Sequence, residues 1–177
     1  MSSKTILRSI RFNDEQDRLL KADAKKRGIS VNALLSEIIT RYAEWDRFAQ
    51  RFPMISISRQ GFRSLIDSIG KEKLLEHASE AGSRNAPEIA LFWFGKLDVN
   101  TFFQFVHILS KYGNTFEYEH SIGQSVHLLA IHHELGPGYS EFLAHYFDAA
   151  IRKIIGVAPQ LELGKNSITI RFTEPLP

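Results

Sequence analysis

From Thr5 to Phe12 the chain alternates, with Ile6, Ile10 and Phe12 of one parity and Leu7, Ser9 and Arg11 of the other, a period-two pattern that predicts a β-strand. Arg8 interrupts the apolar set. A short isolated strand leaves backbone groups unpaired on both edges and needs a partner strand. Asn13 offers a side-chain cap with Gln16 three residues on, so a helix is expected to follow and to run to about Arg27, with Leu19, Leu20 and Ala24 on its narrow apolar side. Gly28 suits the left-handed residue that ends it, and Ser30 suits the cap of a second helix starting at Val31. In that second helix Leu34, Leu35, Ile38, Ile39, Tyr42 and Trp45 recur at three- and four-residue spacing, and Phe48 and Phe52 continue the stripe until Pro53 stops it. The stripe is wider than the first helix can cover. A strand and two helices of this size do not build a sufficient core alone, which predicts an intertwined dimer.

Pro53 is the expected boundary between a first domain, residues 1–52, and a second, residues 54–177. Met54 to Ser58 alternates as a short strand. Phe62, Leu65, Ile66 and Ile69 then give a helix ending at Gly70, and a further helix covers Lys71 to Ala81. Gly82 to Ala86 with Pro87 reads as a loop, and Ile89 to Phe94 as a helix. Asp98 caps a helix striped by Phe102, Phe105, Val106, Leu109 and Tyr112. Phe116 to Ile122 and Ser125 to Glu134 form a β-hairpin about a Gly123-Gln124 turn. After Gly136-Pro137-Gly138 comes an amphipathic helix through Phe142, Phe147 and Ile154, then two strands, about Ala158 to Leu163 and Ser167 to Phe172. This order predicts an α+β domain with a mostly antiparallel sheet and helices on one side.

Charge separates the two parts. Residues 1–51 hold 11 Lys/Arg against 7 Asp/Glu, a net of +4, and the remainder holds 11 against 13, a net of −2. The first twelve residues contain Lys4, Arg8 and Arg11 and no acid, so a polyanion is drawn to that end. The chain has no cysteine, which excludes disulfides, thiolate metal sites and a cysteine nucleophile. The longest apolar run, Ile89 to Phe94, is too short to span a bilayer, and the N-terminus lacks the apolar stretch of a signal peptide. A soluble, cytoplasmic and nucleoid-associated protein is expected, with no membrane partner and no cofactor.

Strand, helix, the Gly28-Ile29-Ser30-Val31-Asn32 turn and second helix together resemble the ribbon-helix-helix family of DNA-binding proteins over roughly residues 4–46. The resemblance implies that two chains pair their strands into an antiparallel ribbon that enters the major groove while the helices form the dimer core. It implies that Leu7, Ser9 and Arg11 face the bases, with Ile10 and Phe12 beneath them in the core. Arginine grips guanine through two acceptors, serine bonds to either member of a pair, and Leu7 can meet a thymine methyl. The start of the second helix supplies a phosphate clamp through the N–H groups at Ser30, Val31 and Asn32, with Lys4 and Arg8 adding charge. Where a relative in the family buries a charged triad, this chain has Ile29, Leu34 and Ile38, a replacement that leaves dimerisation intact. A sequence-specific transcriptional regulator is therefore expected, a homodimer or a tetramer of two dimers on double-stranded DNA, with its second domain sensing a small-molecule effector or serving assembly.

Six of the seven histidines lie between residues 107 and 145. On a strand His127 and His133 share one face with Leu129 and Ile131, His132 faces the other way, and His120 lies across the hairpin. His120, His127, His132 and His133 are the weak metal candidates, set below the reading of ordinary core or surface histidines. His132, His133, Glu134 and Ser140 match no nucleophile or metallohydrolase motif, so no enzyme is expected. Two other functions fit the same N-terminal pattern, an antitoxin-type protein that wraps a toxin and an enzyme merely dimerised by this module.

Overall fold

The computed structural model describes residues 6–49 and 55–174. The chain divides into two compact units, Met1–Met54 and Ile55–Pro177.

Among the described residues the first unit begins its regular structure with a helix and shows no strand. Residues 6–13 belong to no helix or strand, so among the described residues the first regular element is α1, Asp14–Arg27, and the ribbon-helix-helix fold is not what this chain shows. No strand among the described residues pairs with Ile6 to Phe12. Ile10 and Phe12, expected in the core, are 58% and 38% exposed. The helix starts as its sequence dictates, because Asn13 accepts from the Gln16 N–H at 2.8 Å while the Gln16 side chain accepts from the Asn13 N–H at 3.1 Å. Gly28, at φ 66°, ends it in the left-handed conformation that costs other residues strain. Ser30 then caps α2, Val31–Arg41, by accepting from the Ala33 N–H at 3.1 Å. A π-helical turn, Tyr42–Asp46, inserts one residue into the stripe and turns Trp45 inward, and a last turn, α3, covers Arg47–Ala49.

The second unit is α+β, with helices α4 (Arg59–Ser68), α5 (Lys71–Glu80), α6 (Ala86–Phe94), α7 (Val99–Gly113) and α8 (Pro137–Ile154). Its strands β1 (Glu117–Gly123), β2 (Val126–His132), β3 (Gln160–Leu163) and β4 (Ser167–Thr173) form one antiparallel sheet in the order β1-β2-β4-β3. Residues 55–58 carry no strand. Ser58 is used instead to cap α4, accepting from the Gly61 N–H at 3.1 Å, and Ile55 stands in solvent with no sheet row to join.

The loop expected at Gly82 to Ala86 is a π-helical turn, Ala81–Asn85, that carries α5 straight into α6. Glycine is needed there for close approach: a Cβ on Gly82 would lie 2.1 Å from the Tyr146 carbonyl oxygen on α8. Pro87 sits in the first turn of α6, where its missing N–H is tolerated. Asp98 and Thr101 form a capping box on α7, and Asn114, left-handed at φ 54°, ends it.

One sheet face is buried and the other open. Leu129 and Ile131 of β2 and Ile168, Ile170 and Phe172 of β4 point into the core, where α8 lays Leu143, Phe147, Ala150 and Ile151 against them and α7 adds Phe102 and Phe105. This period-two face meeting a period-3.6 stripe is the main hydrophobic contribution to the unit, at about 1.5–3 kcal/mol for each large side chain fully buried.

Candidate functional site

The residues expected to touch DNA lie on an arm and a helix start. Leu7 is 93% exposed, and Arg8, Ser9 and Arg11 are exposed beside it on the extended segment. Lys4 lies outside the described residues. Among the described residues Arg8 and Arg11 enter no ion pair, whereas Lys21 is held by Asp17, Arg27 by Glu37 and Arg41 by Asp46. Ser30 and Asn32 are exposed at the start of α2 and Val31 is half-buried. Ser30 Oγ is engaged as a cap, so any phosphate there would meet the remaining N–H groups of the first turn and the positive end of the helix dipole.

The same unit is poorly buried. Only Ala24, Leu34 and Trp45 are buried among its described residues, while Leu19, Ile38, Ile39 and Tyr42 are 59%, 49%, 56% and 61% exposed. These side chains form the stripe that the sequence pattern placed in a core. Covering each would contribute on the order of 1 kcal/mol.

In the second unit, the structure brings together two pairs of histidine contacts. His133 Nδ1 accepts from the Leu135 N–H at 3.2 Å, so the neutral ring carries its proton on Nε2, which donates to Ser140 Oγ at 2.9 Å. Both residues are buried, and burial, with a smaller contribution from His132, pushes the His133 pKa below its ordinary 6.5. A histidine that donates to a serine cannot also take its proton, so this contact braces the β2–α8 connection rather than activating a nucleophile. Both residues were weighed and set aside as catalytic candidates; their contact was not legible, because strand and helix phases do not reveal which side chains meet across a turn. His132 faces away on the exposed side of the sheet.

The second contact joins β1 to β2. His120 Nε2 and His127 Nδ1 are 3.0 Å apart, with ring planes 7° from parallel and centroids 5.2 Å apart, the geometry of two coplanar rings meeting edge to edge. Phe103 of α7 stacks over His120 at 3.7 Å, and Phe172 lies 4.9 Å from His127. His127 is buried, and its Nε2, 3.6 Å from Glu174 Oε2, has no hydrogen-bond partner within reach. Glu174 was not among the candidates; it follows the last strand and reaches the pair only through the β2–β4 register. Among the described residues no group of three or more His, Cys, Asp or Glu is placed to hold a metal ion, so the four histidines do not assemble into a coordination set.

Two clefts flank Arg59. One, of about 360 Å³, is lined by Thr115, Phe116, Glu117, His132, His133 and Asn166, and the other, of about 470 Å³, by Gln60, Arg63, Ser64, Asp67 and Leu135. Arg59 and Glu134 line both, and they pair at 3.2 Å. Arg59 also donates to the Asn114 carbonyl and side-chain oxygens at 3.2 and 3.0 Å. The result is a polar trough with fixed cationic and anionic walls.

No helix among the described residues is long and apolar enough to cross a membrane. No known family, curated protein or solved structure matches the chain.

Proposed function

We propose that the protein is a DNA-binding transcriptional regulator that acts as a homodimer, holding duplex DNA with its first unit and receiving an effector or an assembly contact on its second. One observation carries the reading. The arm of residues 6–13 is exposed and outside any helix or strand, bears Arg8 and Arg11 with no acid, and runs directly into two helices of which the second presents its N-terminus. That combination supplies free cations for phosphates and side chains of the right chemistry for base edges, Arg11 for guanine and Ser9 for either partner of a pair.

The exposed stripe of Leu19, Ile38, Ile39 and Tyr42 favours a second copy, because a unit of this size whose described residues bury three apolar side chains has little core of its own. Two copies place two arms on one duplex, and two dimers would engage adjacent half-sites. The trough around Arg59 is the effector site this reading assigns to the second unit, since its charged walls and its volume suit a small polar ligand. The reading gives no catalytic step to His133 and Ser140, and it places the protein with the nucleoid in the cytoplasm.

The test is a selection of bound duplexes by the full-length protein, followed by fluorescence-anisotropy titrations of the selected and scrambled sequences. Arg11→Ala is expected to lose about 1–3 kcal/mol of preference for the selected site, while Ser30→Ala weakens both duplexes alike. Ile39→Glu is expected to yield monomers in sedimentation and to weaken DNA binding with them. Wild-type protein that enriches no sequence and retards no duplex at low salt would end the proposal.

A further inference from the structure

The histidine pair of the β1–β2 hairpin is left unused by the function proposed above. Its geometry favours one placement of the protons. With the Glu174 carboxyl oxygen 3.6 Å away, His127 Nε2 is favoured as the nitrogen that carries hydrogen, which leaves Nδ1 as an acceptor for the His120 Nε2–H at 3.0 Å. The exposed Nδ1 of His120 then holds the free lone pair. A first added proton is tolerated, because it leaves one N–H···N bond between the rings, now charge-assisted, with a carboxylate behind. A second proton is not tolerated: both facing nitrogens would carry hydrogen, and two cations would meet at contact distance.

What this pair holds closed is itself strained. The hairpin turns through Gln124 and Ser125, both left-handed at φ 51° and 62° although neither is glycine, a conformation that costs of order 1 kcal/mol or more at each. Opposing that strain at the tip are the histidine bond, the Phe103 ring over it, and the Glu174 N–H donating to the Ser125 carbonyl at 2.9 Å. Among the described residues β1 is an edge strand paired with β2 alone.

We propose that His120 and His127, backed by Glu174, form a proton-operated latch on the hairpin tip, closed while the pair shares at most one proton and released when both rings are charged. Release frees the end of β1 and uncovers Phe103, so the second unit senses acidity through a local opening. The other titratable groups on this side are His107 of α7 and Tyr118 of β1, which meet at 3.4 Å. Burial raises the Tyr118 pKa above 10, which keeps that phenol neutral throughout the range concerned. Burial, and then the charge of His127, lowers the His120 pKa, in keeping with a closed pair that resists its second proton.

The test is amide hydrogen exchange of the full-length protein, read residue by residue by NMR and corrected for the intrinsic pH dependence of exchange. In the wild type, opening of the tip, residues 119–128, is expected to increase by about tenfold per pH unit once acidification passes the histidine range, for one extra proton taken up on opening. The core amides of Ile168 and Ile170 should stay better protected at every pH. His120→Gln keeps a donor toward His127 but cannot charge, and should flatten the response. Glu174→Gln weakens the closed state's hold on its single proton, so more protons enter on opening and the tip should open at higher pH than in the wild type. The proposal is overturned if the wild-type tip shows no acid response, if His120→Gln responds as the wild type does, or if tip and core amides exchange together.

Discussion

Replacing Ser140 by alanine tests the proton assignment in the core of the second unit. The hydroxyl accepts from His133 Nε2 at 2.9 Å, and the other ring nitrogen is already committed to the Leu135 N–H at 3.2 Å. His133 is 7% exposed and Ser140 1%, so water does not readily replace the lost acceptor. A buried donor left without a partner costs about 1–3 kcal/mol. Alanine returns up to about 0.5 kcal/mol through its higher helix propensity within α8, leaving a net loss of roughly 0.5–2.5 kcal/mol. In urea unfolding of the full-length protein at neutral pH, followed by far-UV circular dichroism, this lowers the midpoint of the second unit by roughly 0.5–1 M. A Ser140→Ala midpoint equal to or above that of the wild type would refute the assignment of the proton to Nε2 and with it the bracing role of the pair.

Two further expectations concern stability. Gly82→Ala places a Cβ 2.1 Å from a backbone carbonyl oxygen of α8, so helices must separate; overpacking of about 1–3 kcal/mol outweighs a helix gain of about 0.5–1 kcal/mol, and a calorimetric scan should show a lower Tm. Acid should destabilise the second unit as well: His120 and His133 both have folded pKa values below the 6.5 of the unfolded chain, so their neutral forms contribute fully above that pH and the contribution is lost as pH falls below it. Urea midpoints that do not fall between about pH 7.5 and 5 would contradict this.

Local signals were legible in the sequence wherever the cause is local. Asn13 with Gln16, Gly28, Ser30 and Asp98 mark helix ends through hydrogen bonds within a few residues, and each lies where the pattern put it. The β1–β2 hairpin was legible because alternation reports one buried face, although the turn residues are Gln124 and Ser125 rather than Gly123 and Gln124. Gly82 and Pro87 were misread as loop because their role depends on α8, which is distant in sequence. Ile6 to Phe12 form no ribbon strand, because alternation states which residues would share a face, not whether a partner strand exists to make one. The contacts of His127 with Glu174 and of His133 with Ser140 depend on sheet register and on the strand-to-helix crossing, neither of which a periodicity encodes.

The central claim is that the exposed arm binds duplex DNA through its free cations. Anisotropy titrations of one duplex across a salt series measure this directly, since the logarithm of affinity falls with the logarithm of salt by about 0.9 for each phosphate neutralised. The account predicts a steep slope for the full-length protein and a slope shallower by about one per dimer arm for Arg8→Ala or Arg11→Ala. A slope unchanged by both substitutions, or no measurable affinity at the lowest salt, would contradict it.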